Sequence, residues 1–488
     1  MIMSLKFKIL SKMRGKNSIR TKGLNCVFLV LIVLSTSALV AKSHSNIPKA
    51  DTSKNESVVQ VYTYPRFCPE SKRFKLKANG KEIFVYHTSA DPFAAFSCDG
   101  EVEIEIEMLN NEGGISINPI KENIIPKIEG KFIRFKIPGP IKLAIEVAGV
   151  PQLFLYANPI ESVPSANDPN IKLFRAGQIY EVGELNLKEN ETLYIEGGAV
   201  LRGCIRAKSA KNIHINGFGV LDGGYYDRGK DSHRSILFAE CQNSIIENII
   251  MIEPTSWMIV LGACENITIK NVKELGKVMG SDGADLVGCQ NIKIENCMFR
   301  NGDDCIAIKS MVFRRRDNQD FAKNIENIEI TNCSFIAYNG GQAMEIGHEL
   351  RTPSVNNIRF TNCDILGVHD QGGVFGIHNC DRAIISNVLY ENIRVEHFYN
   401  KLIDFRIIKS RWTEDSIRGS AKNITLKNID VKVSEYNEGY SISLIGGYDA
   451  KHTIENVVFD NFRLNGIKVQ NADQLDLYIK QASKISFK

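Results

Sequence analysis

The 488-residue chain has only two tryptophans, and aromatic residues make up 8% of it. No long aromatic-lined groove of a lectin is therefore written into it. No Cys-x-x-Cys pair and no His/Cys cluster has the spacing of a zinc site. The only apolar run of note is near the N-terminus, so no bundle of membrane spans is possible. The composition is 43% hydrophobic and 24% charged, which excludes a mainly disordered or collagen-like chain. Residues 1–41 contain no acid but seven basic residues, and these account for the formal charge of +4. Without them 53 basic residues face 56 acidic ones, a charge of −3. Such a chain has no electrostatic reason to seek nucleic acid or an anionic membrane surface.

The basic start leads into Cys26-Val-Phe-Leu-Val-Leu-Ile-Val-Leu34 and then small residues to Ala41. That order reads as a signal peptide over 1–43, predicting a secreted or periplasmic protein with no stable membrane span once it is removed. Twelve cysteines in an exported chain suggest disulfides, yet their spacing follows a repeat. Cys297, Cys333 and Cys363 each follow an Asn that closes one. Cys241, Cys264, Cys289 and Cys380 each precede the start of one by two residues. Two internal ladders of buried thiols are expected, leaving Cys68 with Cys98 as the conventional disulfide candidate.

Two modules follow. Over 52–165, Lys72-Arg-Phe-Lys-Leu-Lys77, Glu101-Val-Glu-Ile-Glu-Ile-Glu107 and Lys131-Phe-Ile-Arg-Phe-Lys136 alternate with period two. This predicts half-buried antiparallel strands, and so a β-sandwich. Over 170–485 the motif Asn-Ile-x-Ile-x-Asn recurs from Asn212, Asn266, Asn291, Asn327, Asn357 and Asn423, with looser copies from Asn243, Arg382 and Asn456. Successive starts from 243 to 382 lie 23, 25, 36, 30 and 25 residues apart. One short strand per unit at that period means a solenoid, with Ile stacking inward and Asn in left-handed turns. The Leu-x-x-Leu-x-Leu signature of leucine-rich repeats is missing, so the expected fold is all-β: a right-handed single-stranded parallel β-helix behind a β-sandwich.

Acids gathered on one sector of successive coils stand out against such a core. Asp282 and Asp285 lie in Gly280-Ser-Asp-Gly-Ala-Asp285, and Asp303 and Asp304 follow about one coil later. Carboxylates side by side repel, so at least one should hold its proton. A proton donor beside ionised partners is what glycosidic cleavage needs. Acidic turns of no function and a calcium site built on the same acids are the competing readings.

Gly219-Val-Leu-Asp-Gly223, Pro254-Thr-Ser-Trp257, Ser281-Asp-Gly-Ala-Asp285 and Gly302-Asp-Asp-Cys-Ile-Ala-Ile-Lys309 together resemble the polygalacturonase-like glycoside hydrolases of family 28, over about 190–470. A preceding sandwich is similar to the two-domain layout of the dextranase-like family 49. The resemblance implies an inverting hydrolase without cofactor or metal, with Asp303 as general acid and Asp282 with Asp304 activating water. Asp285, Lys309, Gln342, His348, His378 and Trp257 are the candidate substrate-binding residues, with Trp257 a sugar-stacking face or packing and His348 and His378 site residues or turn features. The family's Gly-His-Gly aligns with Gly341-Gln-Ala343, so its His becomes Gln342. The Arg-Ile-Lys that grips a galacturonate falls on Gly376-Ile-His378, with Arg406-Ile-Ile-Lys409 one coil later. Both cations being lost there, a polysaccharide or oligosaccharide that is neutral or differently charged is expected. A calcium-dependent lyase with Lys309 as base, and a non-catalytic glycan-binding solenoid, are the alternatives. Arg314-Arg315-Arg316 is read as a solvated loop in a long insertion.

Overall fold

A computed structural model describes residues 57–109, 114–148, 152–313, 319–433 and 442–488. The predicted signal peptide over 1–43 and the Arg314-Arg315-Arg316 run lie outside the described residues. Three single-turn 3-10 segments are the only helical elements among those described, and none is long and apolar enough to cross a membrane.

Strands from Val58–Val61 to Leu153–Asn158 make two facing sheets. Alternation does the work predicted for it: in Val102–Met108 the valine, isoleucines and methionine are buried and the glutamates point outward. Both sheets contribute to one core that includes Phe74, Phe96, Ile104, Ile133 and Leu143. Cys68 and Cys98 are separate buried thiols rather than a disulfide. Cys98 faces the core between the two sheets, whereas Cys68 packs in the layer against the coils, so the two serve different cores.

From Ile171–Phe174 to Ala482–Phe487 the strands form right-handed coils of parallel β-structure, each pairing with the coils before and after. Ile267, Ile292, Ile328 and Ile358 stack in one row, and Ile269, Ile294, Ile330 and Phe360 in another. Each fully buried Ile contributes about 1.5–3 kcal/mol from burial. The Asn residues opening and closing each motif sit at left-handed φ, such as 56° at Asn266 and 50° at Asn271. Their side chains bond along the axis, with Asn357 Nδ2 donating to Asn327 Oδ1 at 2.7 Å and Asn271 Nδ2 to Asn248 Oδ1 at 2.9 Å.

Two details differ from expectation. The copy assigned to Arg382 begins at Asn387, which pairs with the row of Asn357 and bonds to the next coil through Asn423. Cys380 consequently leaves the first thiol ladder and lies against Ser410 Oγ at 3.2 Å. The predicted second ladder runs through Cys297, whose N–H donates to Cys333 Sγ at 3.4 Å.

The sandwich packs on the coils through Tyr62, Tyr86, Phe93, Phe154 and Tyr156, set against Val220, Ile250, Leu275 and Met298. Two buried cations pin this junction. Arg300 Nε reaches Asp91 Oδ2 at 2.5 Å. Lys273 Nζ donates to Asn158 Oδ1 at 2.7 Å and to the Asn248 carbonyl at 2.9 Å.

Candidate active site

The third strand of each coil sets the site. Ala284 pairs with Ile306, Ile306 with Met344 and Met344 with Phe375. Two residues before each lie Asp282, Asp304, Gln342 and Gly373 in one column, with Trp257 one coil earlier and Lys401 one coil later. Backbone bonds fix these turns: Gly283 N–H donates to Asp304 O at 2.8 Å, and Cys305 N–H to Gln342 O at 2.8 Å. The structure therefore brings Asp282, Asp303 and Asp304 onto two adjoining turns.

Asp303 is the most open of the three and half-buried. Its Oδ2 accepts from Gly280 N–H at 2.9 Å and its Oδ1 from Asp304 N–H at 3.1 Å. Burial and then the charge of Asp282 push its carboxyl up to about 6, against the opposing pull of Lys309. Asp304 is buried, accepts Gln342 N–H at 2.7 Å, and is raised well above the usual carboxylate range by burial and then by Asp282 and Asp303. Gly341 passes so close that an added Cβ would lie 2.0 Å from the Asp303 carbonyl carbon.

Lys309 and Asp285 lie beneath this surface. Lys309 is 5% exposed; its Nζ donates to Asp282 Oδ2 at 2.9 Å and to Asp285 Oδ1 at 2.7 Å, and sits 4.1 Å from the Trp257 ring centre. Burial works against its charge, but Asp282 and Asp285 outweigh it and hold the amine well above its ordinary value. Asp285 is fully buried and raised well above the usual range by burial. Burial likewise raises Glu349, with Lys309 opposing. Trp257 is half-buried between Lys309 and Arg234, whose guanidinium lies 5.3 Å from its ring. Gln342 is buried, its side-chain carbonyl accepting Gly373 N–H.

Beyond Gln342 is a second cluster. His378 is buried, with Nδ1 2.8 Å from Glu345 Oε1 and Nε2 3.2 Å from Asp404 Oδ2. Burial disfavours its charge, yet Glu345 and Asp404 outweigh that and lift it to about 9. Glu345 is fully buried; burial would raise it, and His378 holds it low. Asp404 is likewise kept below the usual range against burial, chiefly by His378. Arg406 grips Asp404 with Nε at 2.6 Å and Nη2 at 2.8 Å, and Lys401 Nζ lies 3.3 Å away. The half-buried His348 ring stacks on His378 at 4.6 Å and 7°, and burial lowers it to about 4.

Glu345, Asp404 and Lys401 were missed by sequence reasoning, whereas Arg406, expected one coil after His378, pairs directly with it. Their signal is a spacing. Asp282 and Asp285 recur as Gln342 and Glu345, then as Lys401 and Asp404, on alternate coils. The coils between carry Ala307 and Gly376 at the second position, which leaves room for the large acids.

Among the described residues two trios of possible metal ligands occur, Glu345 with His348 and His378, and Glu184 with Cys204 and His233. Each already has a guanidinium against it. Arg406 Nη2 is 2.9 Å from His378 Nε2, and Arg206 Nη2 is 3.2 Å from His233 Nδ1. The parallel rings of His348 and His378 also direct their lone pairs into separate planes, which poorly suits one ion.

The model of glycosyl hydrolases family 28 matches residues 184–468. A putative galacturan 1,4-alpha-galacturonidase C of Aspergillus niger is 25% identical over 286 residues, 52% of this chain and 59% of that one. Polygalacturonase QRT2 of Arabidopsis thaliana is 22% identical over 328 residues, 62% of this chain and 66% of its own. The matches thus span less than two thirds of either relative. Dex49A from Penicillium minioluteum shares the fold over 87% of this chain and 96% of its own, with a TM-score of 0.62 at 12% identity. With its family model covering more than half its length and its coils carrying the acidic turns, the chain belongs to glycosyl hydrolases family 28.

Proposed function

We propose that the protein is an exported glycoside hydrolase that cleaves a polysaccharide or its oligosaccharides by single displacement with inversion. The observation carrying this reading is Asp303: the most open carboxyl of the three, its proton affinity raised by burial and by Asp282, on the turn beside Asp282 and Asp304. Asp303 gives its proton to the glycosidic oxygen as the bond to the anomeric carbon breaks. Water attacks that carbon from the opposite face and yields its proton to the Asp282–Asp304 pair. Lys309 supplies the compensating charge beneath Asp282, and Asp285 holds Lys309 in place. Gln342 positions Asp304 through its N–H rather than contacting sugar. Trp257 offers a stacking face, and His348, kept neutral, a hydrogen bond to a hydroxyl.

The named relatives suggest galacturonan, but the cations near the acids argue for a neutral sugar at the scissile bond. Arg406 already forks onto Asp404, Lys401 is paired with the same carboxylate, and Lys309 is enclosed by two aspartates. A uronate would have to displace an internal partner. The same enclosure disfavours a lyase, since Lys309 stays protonated and cannot act as a base. It also disfavours calcium at these acids, because the ammonium takes the position an ion would need.

The test is product release from galacturonan, dextran and neutral galactans by the wild type and Asp303→Asn, with and without EDTA. Metal-independent reducing sugar of inverted configuration from a neutral glycan, abolished by Asp303→Asn, is expected. Unsaturated products that vanish with EDTA would overturn the proposal in favour of a lyase. Binding without cleavage would favour the non-catalytic solenoid.

A further inference from the structure

A crevice lies where the sandwich meets the coils beside the acidic turns. It has a volume of about 770 Å³ and is walled by Lys72, Arg73 and His87 of the sandwich and by Lys277 of the coils, with Glu70 the one acid in its lining and Pro92 in its apolar floor. Elsewhere on the sandwich, four exposed lysines are matched. Lys77 pairs with Glu105, Lys127 with Glu129, Lys131 with Glu107 and Lys136 with Glu101. Among the described residues, Lys72, Arg73 and Lys277 make no ion pair, so this crevice concentrates unmatched positive charge.

The wall is rigid and close to the acids. Ser89 donates through both its N–H and its hydroxyl to Glu253 at 2.5 Å, and Asp91 is held by buried Arg300. The Lys277 carbonyl accepts from Asn339 Nδ2 at 3.1 Å, and a Cβ on Gly302 would lie 2.5 Å from that same carbonyl. Lys277 therefore abuts the turn that carries Asp303, three residues before the Gly280 N–H that holds the Asp303 carboxyl. A glycan bound at the acids and continuing over this turn would reach the crevice.

We propose that the crevice is a distal subsite that recognises an anionic group, a carboxylate or a sulfate ester, on a sugar removed from the scissile bond. The proposal rests on the hydrolase reading for the direction of the glycan, but its test is of binding alone. A neutral sugar at the cleaved bond and an anionic one farther along would define a mixed glycan as substrate. Exposed cations each contribute modestly, so three together should give about tenfold in affinity.

The experiment is calorimetric titration of the full chain carrying Asp303→Asn with three probes of equal length: an oligogalacturonate, a sulfated galactan oligosaccharide and a neutral galactan oligosaccharide. At least one anionic probe should bind about tenfold more tightly than the neutral one. That margin should shrink as salt rises and disappear in Lys72→Ala/Arg73→Ala/Lys277→Ala, but persist in the control Lys127→Ala/Lys136→Ala. Preference for only one anionic probe identifies carboxylate or sulfate as the group read. Equal binding of charged and neutral probes, or a preference that survives the triple substitution, overturns the subsite. Hydrolysis assays play no part in this readout, so failure of the hydrolase reading is seen separately.

Discussion

Replacing Asp303 by Asn should abolish turnover and, at neutral pH, make the protein more stable. Burial and then Asp282 move this carboxyl from the ordinary 3.8 to about 6. The folded state binds the proton more tightly than the unfolded one, so stability declines as pH rises from 3.8 through about 6. By pH 7 the full cost of about 3 kcal/mol is present. Asn carries no charge and escapes it. Against that gain, Gly280 N–H and Asp304 N–H donate to the two carboxylate oxygens. An amide offers one oxygen, and the mismatched donor costs about 1–2 kcal/mol. The variant should be about 1–2 kcal/mol more stable than wild type at pH 7 and about 1–2 kcal/mol less stable at pH 3. Urea unfolding of both proteins at pH 3, 5 and 7 reads this crossing directly. A stability difference that stays constant across the range would refute the assignment of Asp303 as a half-buried acid poised to donate. In the wild type, kcat should fall as pH rises through about 6, where Asp303 loses its proton.

Lys309→Met should cost about 3–5 kcal/mol at neutral pH, because Asp282 and Asp285 lose their buried partner; denaturant midpoints check the loss, and kcat should collapse with it. Gly376→Ala places a Cβ 2.1 Å from Glu345 Oε2, and the fully buried Glu345 has nowhere to swing. A loss of about 1–3 kcal/mol is expected, measured as a lowered unfolding midpoint. Arg300→Met strands Asp91 at the junction of sandwich and coils and should cost about 3–5 kcal/mol. Adding Asp91→Asn should recover most of that loss, and a double variant no more stable than the single would show that the pair itself is not the cause.

The repeat made the coils legible because its physics is local. An Asn that tolerates left-handed φ and an Ile that must face inward recur wherever the chain turns and stacks. Where that local signal was blurred, as at Asn387-Val-Leu-Tyr-Glu-Asn392, the start was read five residues early and Cys380 was misassigned with it. The disulfide between Cys68 and Cys98 failed for a different reason. Sequence separation says nothing about which of three packed layers a side chain enters, and the thiols enter different ones.

The acids proposed as catalytic are conspicuous in the sequence because of their turn chemistry: Asp-Gly and Gly-Asp-Asp interrupt an apolar pattern. The cluster around His378 was hidden because its acids lie inside strands, where one Glu in Met344–Leu350 looks like an exposed residue until the register is known. The register turns that reading round. Glu345 falls above Gly376 and below Ala307, the two smallest neighbours it could have, and Asp404 follows at the next large step. A fully buried carboxylate persists only beside a cation, which makes His378 and Arg406 necessary partners of Glu345 and Asp404. Charge compensation thus runs continuously along the strand face, from the Lys309 that serves Asp282 to the Arg406 that serves Asp404. Asp303, the most open of the three turn acids, lies outside that compensation, as its proposed role of proton donor requires.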